Sequence, residues 1–77
     1  MTSLASLPVG SRGHVVRIDG ADEISIRLLE MGLTPGVEVA ILGVAPLGDP
    51  LELEVRGYRL SIRKAEAARI EIDATDN

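Results

Sequence analysis

The chain carries the stretch Arg27-Leu28-Leu29-Glu30-Met31-Gly32-Leu33-Thr34-Pro35-Gly36, which predicts a helix, its end and the start of a strand. Apolar residues recur at helical spacing before Gly32, at Met31, Leu28 and Ile24. This spacing predicts a helix from about Asp22 to Met31 with one apolar stripe. Most of the remaining chain has the pattern of strands.

The end of the helix follows from three local rules. Gly32 suits the left-handed position after a helix, where a side chain would be strained. Leu33 is expected to fold back on Leu28 in a Schellman-type ending, and Pro35 prevents the helix from resuming. All three rules place the helix end at the same residue.

Length and composition limit the architecture. The 77 residues fit one domain, residues 1–77 with a core at about 4–72, and are too few for two. Hydrophobic residues make up 45% of the chain and Tyr58 is the only aromatic, so the core is expected to consist of Val, Ile, Leu and Ala. The absence of cysteine excludes disulfides and thiolate metal sites.

Charge and hydropathy exclude two classes of partner. The net charge of −4, from 12 acidic and 8 basic side chains, would repel phosphate backbones, so no nucleic-acid partner is expected. No apolar run is long enough to span a bilayer, and the segment Met1 to Gly10 has neither a basic lead nor an apolar h-region. The expected location is the cytoplasm, without membrane insertion.

Several further segments have recognisable patterns. The N-terminal residues 1–6 are expected to be a loosely held end from which Leu4 and Leu7 can dock. Val15 and Val16 are both apolar, so alternation does not decide which face of the first strand points inward. Strands are predicted at 13–18, 37–44, 51–62 as a hairpin and 69–73, with one helical turn at 64–68 and a polar tail at 74–77.

The predicted hairpin has a two-residue turn. A type II′ turn at Gly57-Tyr58, with glycine first, would pair Val55 with Leu60. It would also set Arg56 directly opposite Arg59, an unfavourable pair that would either splay into water or attract an anionic neighbour.

Together these elements predict a mainly β fold. Five short strands and one short α-helix in this length are typical of a small SH3-like barrel of about five antiparallel strands closed on itself. Closure would hide strand edges that otherwise pair with other chains. The helix would cap one opening of the barrel through Ile24, Leu28 and Met31.

The sequence carries no catalytic constellation. No Ser or Cys nucleophile stands beside a base, no Gly-rich phosphate loop is present, and no set of metal ligands is patterned. His14, the only histidine, is expected to be an exposed or edge-of-core strand residue. We therefore predict no catalytic, cofactor-binding or metal-binding residue and no enzymatic activity.

Two features have both a structural and a functional interpretation. The segment 45–50 contains two prolines, a glycine and an aspartate, so it is either a wide connection or a fixed-shape loop that presents Leu47 to solvent or to a partner. Arg27 lies between the apolar stripe and the solvent face of the helix. It is either paired locally with Glu23 or Glu30, or a partner contact.

Three segments, taken in this order and spacing, carry a resemblance to a known family. They are Arg27-Leu28-Leu29-Glu30-Met31-Gly32-Leu33 with Pro35-Gly36, Ala45-Pro46-Leu47-Gly48-Asp49-Pro50, and Val55-Arg56-Gly57 with Leu60-Ser61-Ile62-Arg63 and Glu66-Ala67. In these segments the sequence resembles the FeoA domain, the ferrous iron transport protein A family. The resemblance covers about 4–72 and departs in minor respects, such as Ser61 between two apolar residues.

The resemblance implies an SH3-like barrel and a cytoplasmic accessory role beside ferrous iron transport protein B, a membrane transporter with a GTP-binding domain. The implied function is non-enzymatic binding of that transporter at the inner face of the membrane, which modulates its activity. The helix end and the loop would present a mixed apolar and polar patch, so the candidate partner-binding residues are Arg27, Met31, Pro46, Leu47 and Asp49.

Two alternatives stay open. The same domain occurs at the C-terminus of iron- and manganese-dependent repressors, and this chain would then be a stand-alone relative of that regulatory domain, although it lacks a helix-turn-helix segment and has the wrong charge for DNA. The other alternative is an iron-binding chaperone that uses surface carboxylates and His14.

Overall fold

One six-stranded antiparallel sheet curls around an apolar core in the computed structural model, which describes residues 2–74. Met1 and residues 75–77, most of the predicted polar tail, lie outside the described residues. The elements are β1 (Thr2–Ser3), a 3-10 turn (Leu4–Ser6), β2 (Arg12–Ile18), α1 (Glu23–Glu30), β3 (Glu38–Val44), β4 (Leu51–Val55), β5 (Tyr58–Ile62), α2 (Lys64–Ala67) and β6 (Ile70–Ala74).

The strand order is β1-β6-β2-β3-β4-β5, with every neighbouring pair antiparallel. The prediction of a mainly β fold with one short helix is confirmed, and β1 adds a sixth strand. The predicted closure of the sheet is not reached by hydrogen bonding, because β1 and β5 end the order and no ladder joins them within residues 2–74. Each of these end strands therefore has one paired edge and one unpaired edge.

Two β-bulges bend the sheet around its core. The register shifts between Val15 and Arg17 where β2 meets β6, and between Ile41 and Gly43 where β3 meets β4. A bulge inserts one extra residue and increases the local twist. The bulge explains why the sequence of β2 does not alternate regularly between apolar and polar residues. Val15 is buried in the core, whereas Val16 is only half-buried.

The core draws on every strand except β1, and on both helices and the 3-10 turn. Its buried members are Leu4, Val15, Leu28, Leu33, Val37, Val39, Ile41, Leu51, Leu53, Val55, Ile62, Ala67, Ile70 and Ile72. The predicted docking of Leu4 and Leu7 is confirmed, because Leu4 is fully buried and Leu7 packs against the core. The prediction that this end is loosely held is wrong, because Thr2 and Ser3 pair with β6. Burying Leu4 also stabilises this end by removing apolar surface from water.

The helix ends are as the sequence predicts. Asp22 is the N-cap, and its side chain accepts a hydrogen bond from the Ser25 backbone N–H. At the other end, the Leu33 N–H donates to the Leu28 carbonyl oxygen at 3.1 Å, and Gly32, with φ 102°, completes a Schellman motif. These two local motifs fix both ends of α1.

The apolar stripe of α1 is only partly buried. Leu28 is fully buried and Met31 packs partly against the core, but Ile24 is 38% exposed. Ser25 takes the remaining inward position and is buried, with its hydroxyl donating to the Asp22 carbonyl oxygen at 2.8 Å. The prediction that Ile24 caps the barrel is therefore wrong, because a buried hydroxyl that finds a backbone acceptor can occupy the inner face.

The predicted position of the hairpin turn is wrong by one residue. The turn residues are Arg56 and Gly57, both with positive φ (53° and 82°), so that Val55 pairs with Tyr58 instead of Leu60. Positive φ at both positions is the type I′ geometry, whose twist matches that of the flanking strands. An arginine in a left-handed conformation gives no sequence signal for this turn.

The corrected register removes the predicted opposition of two cations. Arg59 stands opposite Glu54, and Arg56 instead donates a hydrogen bond to the Thr34 hydroxyl at 3.4 Å. The hairpin tip therefore contains no opposed like charges.

The ion pair between Asp22 and Arg69 predicts a pH dependence. The Arg69 guanidinium, 2.8 Å from Asp22 Oδ1, and then the Ser25 N–H lower the pKa of Asp22. Because this pKa is lower in the folded than in the unfolded state, the carboxylate stabilises the fold above the unfolded pKa, and the stabilisation is lost as pH falls through the folded pKa. We expect Arg69→Gln to raise the pKa of Asp22 towards its ordinary value of 3.8, measured by NMR titration.

The matched control for this titration is Arg17→Gln, which breaks ion pairs with Asp19 and Glu71 and does not touch the pair of Asp22 with Arg69. That variant is expected to leave the pKa of Asp22 unchanged. An Asp22 titration that moves equally in both variants would contradict the assignment to Arg69.

Candidate functional site

A cleft of about 530 Å³ opens where the C-terminal half of α1, the end of β5 and the start of α2 converge. Its walls combine apolar and charged side chains, as in a binding site that fixes a ligand by a few polar contacts on an apolar surface. The lining residues are Arg27, Met31, Asp49, Pro50, Ser61, Ile62, Arg63 and Glu66. We call this feature the α1–β5 cleft.

Glu66 organises one wall of the cleft. The residue is 8% exposed, and its Oε1 accepts a hydrogen bond from the Arg63 backbone N–H at 2.9 Å, at the start of α2. Its Oε2 forms an ion pair with Arg27 on α1. The local interpretation of Arg27, pairing with Glu23 or Glu30, is therefore wrong, and the ion pair instead ties α1 to α2.

Asp49 joins the loop at residues 45–50 to the same wall. Its Oδ1 accepts a hydrogen bond from the Lys64 backbone N–H at 3.0 Å. The loop is also closed on itself, because the Ala45 N–H donates to the Pro50 carbonyl oxygen and the Gly48 N–H donates to the Ala45 carbonyl oxygen, at 3.1 and 2.7 Å. These contacts match the interpretation of the segment as a loop of fixed shape.

Four of the five residues predicted as partner contacts line this cleft or a depression beside it. Arg27, Met31 and Asp49 line it directly. Pro46 lines an adjoining depression of about 370 Å³ that shares Pro50 and Ser61 with it. Leu47, in the loop between Pro46 and Asp49, is 96% exposed. We call these five residues, with the α1–β5 cleft, the cleft surface.

Sequence reasoning missed Arg63 and Glu66 as parts of this site. In a capping box, the third residue of the helix is a glutamate or glutamine whose side chain bonds back to the N-cap backbone N–H. Glu66 is the third residue of α2, so this spacing could have identified it. The contact between Glu66 and Arg27 spans distant parts of the chain and has no local signal.

The cations near β5 are the least neutralised part of the surface. Residues 55–65 contain no acidic residue, whereas Arg56, Arg59, Arg63 and Lys64 are four of the chain's 8 basic residues. None of these four forms an ion pair within residues 2–74, although Arg59 stands opposite Glu54 across the hairpin. An acidic chain thus presents a locally basic edge.

Metal ligands do not converge in the part of the chain that the structure describes. His14 is exposed and lies in register between Glu38 on β3 and Asp73 on β6. Between residues 2 and 74, however, no three side chains of His, Cys, Asp or Glu are arranged so that they could hold a metal ion. Within the same residues, no helix is long and apolar enough to cross a membrane.

Comparison with known proteins identifies relatives across nearly the whole chain. The family described as the FeoA domain matches residues 2–74. The Fe(2+) transport protein A/Fe(2+) transporter FeoB fusion protein of Porphyromonas gingivalis is 34% identical over 70 residues, which are 91% of this chain. The chain spans only 8% of the length of that curated relative.

Solved structures share the fold. The NMR structure of an FeoA-like protein from Clostridium acetobutylicum superposes with a TM-score of 0.91 at 35% identity, covering 100% of this chain and 93% of that one. The zinc complex of Stenotrophomonas maltophilia FeoA superposes with a TM-score of 0.83 at 31% identity, covering 95% of this chain and 91% of that one. That protein is described as a prokaryotic SH3 domain protein possibly acting as a ferrous iron transport activating factor. The predicted SH3-like architecture is thereby confirmed.

A repressor also contains this fold. T. acidophilum IdeR superposes with a TM-score of 0.84 at 27% identity. The match covers 96% of this chain but 34% of the repressor.

Proposed function

This chain belongs to the FeoA domain family, and from that membership we propose that it is a non-enzymatic accessory protein of ferrous iron uptake. It binds the Fe(2+) transporter FeoB on the cytoplasmic side of the membrane and modulates the transporter's activity. It needs no nucleic acid and no membrane insertion of its own for this role.

One observation carries the proposal. In the Porphyromonas gingivalis relative, a segment similar to this chain and the transporter are parts of one polypeptide. Joining two modules in one chain raises their effective concentration to the millimolar range, so that even a weak contact between them is occupied. A separate chain with the same task requires a binding surface of its own.

The cleft surface has the properties of such a binding surface. Leu47 is 96% exposed on a loop whose backbone hydrogen bonds fix its shape, so little conformational entropy is lost when a partner covers it. Beside it, the pair of Arg27 with Glu66 supplies a polar rim whose groups are already satisfied. An exposed apolar residue within a polar rim is typical of the centre of a protein interface.

The role of Leu47 is tested by a charge placed at the tip of the loop. We expect Leu47→Asp to weaken capture of the purified transporter by about tenfold or more, because it would bury a carboxylate in the interface. The measurement is a binding titration with immobilised transporter. Circular dichroism is expected to be unchanged, because this side chain makes no core contact.

Val9→Asp is the matched control for Leu47→Asp. Val9 is 56% exposed and lines neither the α1–β5 cleft nor the depression beside it. We expect this variant to bind the transporter like the unsubstituted chain. Equal binding by all three proteins would show that the transporter does not contact Leu47.

A regulatory role like that of the repressor domain is the second candidate. The similarity to T. acidophilum IdeR favours it, since that match covers 96% of this chain. The net charge of −4 and the presence of only one helix longer than a single turn within residues 2–74 leave no basis here for DNA contact. In this role the chain would still act by binding a protein.

An iron-binding chaperone is the third candidate, and it is the only one that requires tight metal binding. Anaerobic calorimetry with ferrous iron distinguishes it from the proposed function. Stoichiometric, tight binding of the ion by the isolated chain would favour the chaperone. Heat signals no larger than those of dilution are the result that the accessory role predicts.

A further inference from the structure

The outer edge of β5 presents unpaired backbone groups. β5 has β4 as its single ladder neighbour within residues 2–74. The type I′ turn makes Val55 and Tyr58 a hydrogen-bonded pair, and such pairs alternate along an antiparallel ladder. The N–H and C=O groups of Arg59 and Ser61 therefore point away from β4.

This free edge borders the α1–β5 cleft. Ser61 and Ile62, at the end of β5, line the cleft together with Arg27 and Met31 of α1. A groove between an edge strand and a helix is the geometry in which a domain binds an extended peptide as an additional strand. Most exposed edges in native proteins are covered or shortened, whereas this one opens into a cleft.

We propose that the α1–β5 cleft binds an extended acidic segment of the protein partner, which adds a strand to the Arg59–Ser61 edge of β5. This inference rests on the proposed function for the identity of the partner and adds the chemistry of the segment that is bound. The backbone of the segment hydrogen-bonds to β5, and its side chains alternate between the cleft and solvent.

The local charge decides for an acidic occupant. Arg59 lies on the free edge, with Glu54 opposite it on β4, and Arg63 and Lys64 follow the end of β5. None of these three forms an ion pair within the described chain, so carboxylates on the incoming segment would gain cationic partners. The acids already in the cleft are occupied: Glu66 by Arg27 and by a backbone N–H, and Asp49 by another backbone N–H. Complementary charge of this kind raises both specificity and the rate of association.

The same cations argue against a second copy of this chain as the occupant. Antiparallel pairing of two β5 strands would bring Arg59 and the flanking Arg63 and Lys64 of both copies close together, and like charges on adjacent strands are destabilising. The accessible apolar part of the cleft, at Met31 and Pro50, fits the apolar side chains of an alternating segment.

The first test uses the unsubstituted chain and amide hydrogen exchange. The probe is a short acetylated peptide amide in which Glu and Val alternate. In the free protein, the amides of Leu60 and Ile62 are expected to be protected by β4, and those of Arg59 and Ser61 to exchange freely. Peptide binding is expected to slow exchange at Arg59 and Ser61 by about tenfold or more.

Two control peptides separate strand addition from simple charge attraction. A peptide of the same sequence in which every backbone nitrogen is methylated keeps its charge and side chains but has no amide donors, so it should not protect the edge. A peptide in which lysine replaces each glutamate should not bind. Equal binding of the methylated peptide, or protection spread over the surface without Arg59 and Ser61, would overturn the proposal.

The second test removes the outward donor from β5. Ser61→Pro deletes an N–H that points away from β4, a position where an edge strand tolerates proline. We expect the affinity of this variant for the Glu-Val peptide to fall by about fivefold or more. Ser61→Ala keeps the N–H and is expected to bind the peptide with unchanged affinity. Unchanged binding by a folded Ser61→Pro protein would contradict strand addition.

A charge variant keeps the test valid where the proline variant does not fold. Arg59→Gln is expected to lower the affinity for the Glu-Val peptide by about threefold. Arg12→Gln, on the interior strand β2, is expected to leave this affinity unchanged. Equal effects of the two variants would mean that only net charge matters.

The peptide tests also separate this inference from the proposed function. Transporter capture that depends on Leu47, together with no peptide binding, would reject strand addition and leave the accessory role intact. Peptide binding without any transporter capture would reject the transporter as the partner and keep the acidic-segment site.

Discussion

Replacing Leu28 with alanine is expected to lower the free energy of unfolding by about 3–5 kcal/mol, the range for truncating a fully buried leucine. Leu28 is fully buried, and its carbonyl oxygen accepts the Leu33 N–H that ends α1. The substitution therefore leaves a cavity at the point where the helix meets the sheet. A domain of this length has a total stability of about 4–12 kcal/mol, so a large part of it would be lost.

Leu29→Ala is the matched control, since Leu29 is the next residue on the same helix and is 40% exposed. Its expected cost is below about 1 kcal/mol, because a half-exposed side chain leaves no closed cavity. Urea denaturation of both variants measures the difference. A Leu28→Ala midpoint within experimental error of the Leu29→Ala midpoint would mean that α1 does not dock as described.

The second large effect is expected at Gly13 in β2. A Cβ at this position would lie 2.3 Å from Ile72 Cγ2 and 2.9 Å from the Asp73 carbonyl oxygen on β6. The second contact is with backbone, so the neighbouring strand would have to move. We expect Gly13→Ala to destabilise the fold by about 2–3 kcal/mol, as forced overpacking does.

Gly43→Ala tests whether the effect at Gly13 comes from this close approach. Gly43 is also a strand glycine, but a Cβ there would come no nearer to another group than 3.8 Å, at Glu52 Oε1. We expect this control to change the free energy of unfolding by no more than about 0.5 kcal/mol. Thermal unfolding of both proteins is the measurement, and equal loss in both would contradict the tight packing of β2 on β6.

Features set by neighbouring residues were predictable from the sequence. The bounds of α1 depend on the Asp22 cap, on glycine at residue 32 and on Leu33 folding back, and each acts within a few residues. The alternation in β4 and β5 likewise predicted a hairpin, because strand periodicity is visible along one segment.

Features set by distant contacts were not predictable. The turn register depends on Arg56 adopting a left-handed conformation, and the pairing of Thr2 and Ser3 depends on β6, which is formed by much later residues. The SH3-like architecture is as predicted, but no hydrogen-bonded ladder joins β1 to β5 within residues 2–74, and pairing between first and last strands has no local signature. The unpaired edge of β5 that results is the feature on which the strand-addition proposal depends.

The candidate site was predictable in part. A helix end and exposed loop chemistry pointed to Arg27 and Asp49, which line the same cleft, and to Leu47, which is exposed on the loop that carries Asp49. Glu66 was not predicted, because its ion pair with Arg27 joins residues that are far apart in the sequence. Only the three-dimensional placement of α1 beside α2 shows this contact.

The central claim is that this chain acts by binding the Fe(2+) transporter FeoB through the cleft surface. The most direct measurement is calorimetric titration of the chain into the purified transporter from the same organism, with Leu47→Asp titrated in parallel. The account predicts saturable one-to-one binding with a Kd at or below about 10 μM, weakened about tenfold by Leu47→Asp. No saturable heat from the unsubstituted chain at concentrations well above that value would contradict it.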